Sequence, residues 1–406
     1  MTYDEFLERL TLEYPKTAQE HDLRSLVIPS LVAPVALKLP VQLKNEAERL
    51  VSLFHGQVRE NLAVASQLLK IPPALPDWNQ ETGTASSDDP SVLMSYDFHI
   101  DYEGRSPQEN PGHLKLIEIN TNASMSLLTD IMICRQGIAG CLKEKFMIDF
   151  AEALGRPLSG TRVVITDEEP EKQKLFVEFL LYKELFEKCG AEVRIVDRAR
   201  LEMRDGKLWA DSFGPIDLVY NRTTDFYFEE PQSKALNEAF RTRSCVITPN
   251  PYDYRLLADK NRLVEWSRDG IFESYGISSD DSAFLRSAVL RTREVGELDP
   301  DALWAERKKL MFKPRNAYGG KGVYRGSSIS RGAFQEMLLS DSLAQDFVPA
   351  PTVRLVNPTG EETEFKYDLR FFAFRDQVRI ACARIYQGQM TNATTPGGGL
   401  AAIIWT

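Results

Sequence analysis

The chain has 406 residues, 43% hydrophobic and 27% charged, an ordinary globular composition with material for two or three domains. A net charge of −10 argues against a general nucleic-acid binder, and no apolar run reaches membrane-spanning length. The acidic start, Met1-Thr2-Tyr3-Asp4-Glu5, does not read as a secretory signal.

Residues 1–90 read as a mostly helical region. Ala47, Leu50, Val51, Phe54, Val58 and Leu62 recur at helical spacing within 45–69. Pro72-Pro73 ends that run. The polar stretch 79–90 reads as a loop. A strand pair follows at 93–100 and 114–120, joined by an elongated loop carrying Gly104, Pro107, Pro111 and Gly112. From 161 the pattern becomes a small α/β unit. It has a strand at 162–166, a helix over 169–189 closed by Gly190, and a strand at 192–196. A hairpin turns at Asp205-Gly206, and strands follow at 216–220 and 244–247. Strand-helix-strand order implies a parallel sheet. Beyond Asp253 come a helix near 256–267, a strand at 309–313, a glycine segment and a helix near 331–339. Antiparallel strands follow at 343–348, 367–374 and 377–385, the last two joined at Arg375-Asp376. The fold class expected is mixed, α+β and α/β. The regions expected are 1–90, 91–160, 161–250 and 251–406.

Five scattered cysteines, Cys134, Cys141, Cys189, Cys245 and Cys382, include no Cys-x-x-Cys pair. Thiols in a reducing cytoplasm are expected, ahead of zinc or disulfides. Four histidines at no metal-ligand spacing leave little room for zinc chemistry or a histidine triad.

Two segments carry chemistry. In the first, Lys313-Pro314 leads into Gly319-Gly320-Lys321-Gly322. Glycines lack a Cβ, so their amides can approach a polyphosphate, and Lys313 and Lys321 can address the same anion. The sequence is not the G-x-x-x-x-G-K-[ST] loop, and a plain flexible hairpin is the alternative. Lys260, Arg370 and Arg384 are further cations. The two arginines lie inside strands, where an acidic neighbour or a bound polyanion must pair them. In the second segment, Glu118 and Asn120 alternate on one strand, so they share a face with Leu114 and Leu116. Asp97 can stand opposite on the preceding strand. Two carboxylates about 4 Å apart repel by about 4 kcal/mol at an effective dielectric near 20, and a divalent cation reverses the sign. Oxygen donors of this kind suit Mg²⁺ or Mn²⁺. A solvated edge strand is the alternative.

Together these residues resemble the ATP-grasp superfamily, in its glutathione synthetase and D-alanine:D-alanine ligase branch. Lys313-Pro314 and Gly319-Gly320-Lys321-Gly322-Val323 look like its lysine strand and glycine loop. Ala258-Asp259-Lys260 looks like its earlier phosphate lysine. Gln345-Asp346-Phe347-Val348 is similar to the strand whose backbone reads adenine. Asp368-Leu369-Arg370, Ala383-Arg384-Ile385 and Thr391-Asn392 resemble its arginine strands and the loop after them. Asp97 and Glu118-Ile119-Asn120 resemble its metal motifs, which in the family come last. Here they come first, so the order looks circularly permuted.

The resemblance implies an ATP- and Mg²⁺-dependent ligase that joins a carboxylate to an amine through an acyl phosphate. Lys260, Lys313, Gly319, Gly320, Lys321 and Gly322 would hold phosphates. Gln345, Asp346, Phe347 and Val348 would hold the base. Asp97 (or its neighbour Asp101), Glu118 and Asn120 would hold metal. Arg384, Arg370 and Asn392 would act on the transferring phosphoryl group. Tyr220, Arg222 and Asn122 are substrate-side candidates, with a surface salt bridge as the alternative for Arg222. The partners expected are small-molecule or peptide acids and amines and, in a homo-oligomer, further copies of the chain, with no nucleic acid and no membrane. A phosphotransferase and a non-catalytic nucleotide-binding scaffold are the competing readings.

Overall fold

The computed structural model describes residues 2–62, 90–107, 109–135, 142–315, 322–356, 360–392 and 394–406. Gly319, Gly320, Lys321, Cys141 and nearly all of the 79–90 loop lie outside them. The first helix, Tyr3–Glu13, starts with a reciprocal cap. Thr2 accepts from the Glu5 amide, and the Glu5 carboxylate accepts from the Thr2 amide. Strand β1 (Val32–Leu39) runs into the helix Val41–Leu53. Strands β2 (Met94–Asp101) and β3 (His113–Asn120) form an antiparallel pair, followed by the helices Ser126–Arg135 and Lys143–Leu154. The α/β unit holds β4 (Arg162–Asp167), β5 (Glu192–Asp197), β6 (Leu201–Arg204), β7 (Lys207–Ala210), β8 (Leu218–Asn221) and β9 (Val246–Thr248). A small sheet is built from β10 (Thr292–Glu294), β11 (Leu310–Pro314), β12 (Tyr324–Arg325) and β13 (Ser342–Asp346). The chain closes with β14 (Thr352–Val356), β15 (Glu362–Phe374), β16 (Gln377–Tyr386) and β17 (Gly399–Trp405).

The main sheet has the order β1-β17-β16-β15-β2-β3, with β14 beside β15. Front and back of the chain therefore share one sheet. Asp97 stands in register with Arg370 of β15, and Asp368 of β15 with Arg384 of β16. Both faces are covered. Leu43, Ala47 and Leu50 of the helix Val41–Leu53 pack with Tyr96, Phe98 and Phe371 on one side. Leu127, Leu128, Phe146 and Phe150 pack with Phe372 and Cys382 on the other. Each leucine and phenylalanine among them contributes about 1.5–3 kcal/mol on burial. The α/β unit has the all-parallel order β5-β4-β8-β9, as strand-helix-strand order implies.

Three expectations need correcting. The mostly helical first region also contributes a strand that the sequence reading left out: β1 pairs in parallel with β17 at the edge of the main sheet. Pro34 has no amide hydrogen, a feature tolerated at sheet edges and bulges, and the β1 register is irregular between Val32 and Ala36. Cys134 is disulfide-bonded, whereas Cys189, Cys245 and Cys382 are free. Cys134 takes part in no Cys-x-x-Cys spacing, so nothing in the sequence announces that bond. Finally, Leu114 and Leu116 do not share a face with Glu118 and Asn120. Asp97 pairs with Glu118, but Phe98 pairs with Leu116, so Ile117 is an extra residue in β3. That bulge inverts the alternation. Leu114, Leu116 and Ile119 enter the core, and Glu118 and Asn120 face the other way.

Candidate functional site

A cavity of about 440 Å³ lies between the main sheet and the small sheet. Alternation along the strands supplies its floor. On β15, Phe365, Tyr367 and Leu369 go to the core, and Lys366, Asp368 and Arg370 face the cavity. On β16, Ala383 and Ile385 go inward, and Arg384 and Tyr386 face out. Below the bulge, β3 offers Glu118 and Asn120. The small sheet provides Lys313 of β11, Arg325 of β12, and Gln345 and Asp346 of β13, followed by Phe347 and Val348. Lys260, just ahead of the short helix Asn261–Trp266, completes the wall. Six cationic side chains face three carboxylates, in a chain whose overall charge is −10. Such a concave positive site in an acidic protein concentrates anions.

The cations fall into two groups. Lys313 is 7% exposed, and its ammonium makes one hydrogen bond among the described residues, 3.5 Å to the carbonyl of the bulge residue Ile117. Burial pushes its pKa down to about 8; Glu118 opposes the shift, Lys260 adds to it, and Asp97 opposes it. Burial lowers Lys260 as well, against the pull of Glu118 and Asp259. Arg370 and Arg384, in contrast, are paired with carboxylates. Arg370 grips Asp97 through Nε at 2.8 Å and Nη2 at 2.6 Å. Arg384 grips Asp368 through Nε at 2.6 Å and Nη2 at 2.9 Å, and the same Nη2 reaches Asp97 Oδ2 at 2.9 Å. Pairing with acidic neighbours is therefore the arrangement seen. Burial alone would raise Asp97, but Arg370 and Arg384 outweigh it and hold the carboxyl at about 2.

The expected metal donors converge. Asn120 Nδ2 lies 3.3 Å from Asp97 Oδ2, and Asp97 is in register with Glu118. Among the described residues, no group of three or more His, Cys, Asp or Glu side chains is placed to hold a metal, and Glu118 makes no hydrogen bond or ion pair. Two carboxylates and an amide oxygen beside a cationic cavity fit a hard divalent ion that shares its ligands with phosphates. Asp97 would have to exchange its guanidinium partners for the ion. Asp101 sits at the far end of β2 and accepts from the Glu103 amide instead.

Other expected residues lie elsewhere. Asn392 does not line the cavity. Its amide nitrogen donates to the Gln387 and Met390 carbonyls, and its oxygen accepts from the Thr394 amide and the Thr395 hydroxyl. It organises the loop that presents Met390 and Thr391 to the cavity. Gly322 has φ +69°, and a Cβ there would meet Pro314 Cγ at 2.8 Å, so glycine is required to turn the chain. Tyr220 is a core residue, its ring 5.1 Å from Phe150 and 5.0 Å from Tyr182. Arg222 is also buried, and not at the surface. It donates to the Ala123 carbonyl and the Ser124 hydroxyl, and Asn122 donates back to the carbonyls of Arg222 and Thr223. Arg222 and Asn122 thus brace the loop after β3, and all three residues are absent from the cavity wall. Sequence reasoning did not assign His99, Asp368, Thr391 or Arg325, which do line it. His99 is bonded through Nδ1 to the Val348 carbonyl at 2.9 Å, and Arg325 stacks over the Phe347 ring at 4.3 Å. The alternation Lys366, Asp368, Arg370 was the available signal for Asp368.

The chain matches no known family profile and no curated protein sequence. Among solved structures, a glutathione synthetase-like effector, GSS30, from Globodera pallida in its apo form superimposes with a TM-score of 0.57 at 12% identity. The match covers 92% of this chain and 90% of that one. The fold is ATP-grasp-like. A putative γ-glutamylcysteine synthetase from Methylobacillus flagellatus scores 0.47 at 11% identity, covering 91% of this chain and 89% of that one. The ATP-grasp ligase PsnB, complexed with a minimal precursor, Mg and ADP, scores 0.29 at 13% identity, covering 59% and 88%. Nothing further rests on those two likenesses. Among the described residues, no helix is long and apolar enough to cross a membrane.

Proposed function

We propose that the cavity binds ATP with Mg²⁺ and that the protein is a ligase joining a carboxylate to an amine. The observation that carries this reading is Lys313, a buried ammonium with a single long hydrogen bond among the described residues, on the wall of a cavity where cations outnumber carboxylates. A buried cation left so poorly paired is costly, and a polyanionic ligand offsets the cost. The placement of the strands 94–120 beside β15 supports a circularly permuted chain order.

In this reading Lys260, Lys313 and the chain from Gly319 to Gly322 hold the phosphates. The segment Gln345 to Val348 holds the base. Asp97, Glu118 and Asn120 hold Mg²⁺, which, when bound, neutralises charge on the phosphate oxygens. Arg370 and Arg384 line the cavity beside those donors, placed to stabilise charge that develops on a transferring phosphoryl group. A substrate carboxylate attacks the γ-phosphorus and ADP leaves. An amine then attacks the acyl carbon and inorganic phosphate leaves. The site requires no side-chain nucleophile.

The test is ADP release and product mass across a panel of acids and amines, with the parent and Lys313→Ala. The expected result is ADP formation that requires both substrates, yields an amide, and is lost in the folded variant. A stable phosphorylated product would make the protein a phosphotransferase, and equal turnover by the variant would remove Lys313 from the site.

A further inference from the structure

We infer that Asp368 and Asp97 are positioning residues that withhold the cavity guanidinium groups from a bare nucleotide, and that Asp97 yields its share of them to a metal-loaded one. This rests on the reading of the cavity as a Mg²⁺-nucleotide site.

The two groups of cations differ in availability. Lys313 has no carboxylate within ion-pair distance among the described residues, and an arriving anion meets no rival there. The arginines do have rivals. Asp368 holds Arg384 on two atoms, and Asp97 holds Arg370 on two atoms. Arg384 Nη2 bridges both carboxylates. Two guanidinium groups and two carboxylates make this floor neutral. Its carboxylates occupy the donors that a phosphate would use, so they act as internal competitors for them. Both pairs are buried, with Asp97 at 1% and Asp368 at 3% exposure, so water screens them poorly. The Thr391 hydroxyl donates to Asp368 Oδ2, which keeps that carboxylate turned toward Arg384.

A divalent ion changes the balance without any movement of the backbone. Asp97 is the carboxylate shared by Arg370, Arg384 and Asn120. When its oxygens turn to a metal, Arg370 loses its bidentate partner and Arg384 loses one of its two. Those donors are then free for phosphate oxygens. Metal and nucleotide thus favour each other through the protein, in addition to their direct contact, and the coupling is reciprocal.

The test is calorimetric titration of ADP in EDTA and in saturating Mg²⁺, using the parent, Asp368→Asn, Thr391→Val and Glu364→Gln. Thr391→Val, the milder change, covers the case in which Asp368→Asn does not fold. Glu364 is an exposed carboxylate on the same strand, off the cavity wall and without an ion pair to either arginine. The expected result is metal-free ADP binding about tenfold tighter in Asp368→Asn, or about 1.4 kcal/mol. Thr391→Val should gain about threefold, and Glu364→Gln should stay near the parent. Asp368→Asn should tighten ADP binding in Mg²⁺ as well, because the ion takes Asp97 and leaves the Asp368–Arg384 pair in place. A merely structural role for Asp368 would weaken binding under both conditions. Unchanged or weaker metal-free binding in both variants, with Mg²⁺-ADP still bound by the parent, overturns the inference and leaves the site reading standing. An equal gain from Glu364→Gln overturns it too, because general charge would then account for the effect. A parent that binds no nucleotide even with Mg²⁺ overturns both.

Discussion

Lys313→Met removes an ammonium group that is 7% exposed and bonded only to the Ile117 carbonyl among the described residues. Burial holds its pKa near 8, against about 10.4 for an ordinary lysine. Between those two values the unfolded chain keeps a proton that the folded chain has lost, so stability rises with pH across that window. Below pH 8 the whole cost of the buried charge is present. At about 1.4 kcal/mol per pH unit it amounts to about 3 kcal/mol. The variant should therefore be more stable than the parent at pH 7 in the absence of ligand, by up to about 3 kcal/mol, and the difference should shrink toward pH 10. Nucleotide binding should go the opposite way. With a pKa near 8, the protonated fraction of Lys313 falls about tenfold from pH 7 to pH 9, and parent affinity should fall with it. The variant should bind weakly and lack that component of the pH dependence. Thermal unfolding and calorimetric titration over pH 7–9 measure both. A variant that is less stable at pH 7, or one that retains the parent's affinity and pH profile, would refute the reasoning.

Glu118→Gln should raise the Mg²⁺ concentration needed for nucleotide binding by about tenfold, as expected for the loss of one charged donor; an unchanged metal titration would remove Glu118 from the donor set. Asn392→Ala should speed hydrogen exchange across 387–395 and cost about 1 kcal/mol of local stability, because several loop hydrogen bonds converge on that amide. Loss of turnover with exchange unaltered would instead give Asn392 a direct role. Tyr220→Phe should lower stability by about 1 kcal/mol and leave substrate dependence unchanged. A raised KM at constant melting temperature would return Tyr220 to the substrate side.

Much of this architecture follows from alternation and punctuation that a sequence displays. The Lys366-Asp368-Arg370 and Arg384-Tyr386 faces follow from period two, and the Arg375-Asp376 turn is visible between them. The parallel order of the α/β unit follows from strand-helix-strand succession. Other features depend on pairing partners distant in sequence. Ile117 reads as a regular strand residue, and only the register of β3 against β2 shows that it is an extra one, so the face of Glu118 was assigned with the wrong neighbours. The segment Val32–Leu39 becomes a strand because β17, far along the chain, offers it an edge. Arg222 and Asn122 carry the residue types of a binding site, yet Asn122 donates to the Arg222 and Thr223 carbonyls and Arg222 to the Ala123 carbonyl and the Ser124 hydroxyl. Asn392 likewise looks like a ligand in sequence and serves as a loop brace in space. Polar residues whose partners are main-chain atoms leave no signature in a sequence, whereas opposite charges alternating along neighbouring strands do.

A crystal structure with a non-hydrolysable ATP analogue and Mg²⁺ tests the proposed site most directly. The account predicts the triphosphate between Lys260, Lys313 and Arg384, the base against Phe347 and Val348, and the ion on Glu118 and Asn120 with Asp97 turned away from Arg370. Nucleotide density outside the space between the two sheets, or an intact Asp97–Arg370 pair beside a fully bound Mg²⁺-nucleotide, would contradict it.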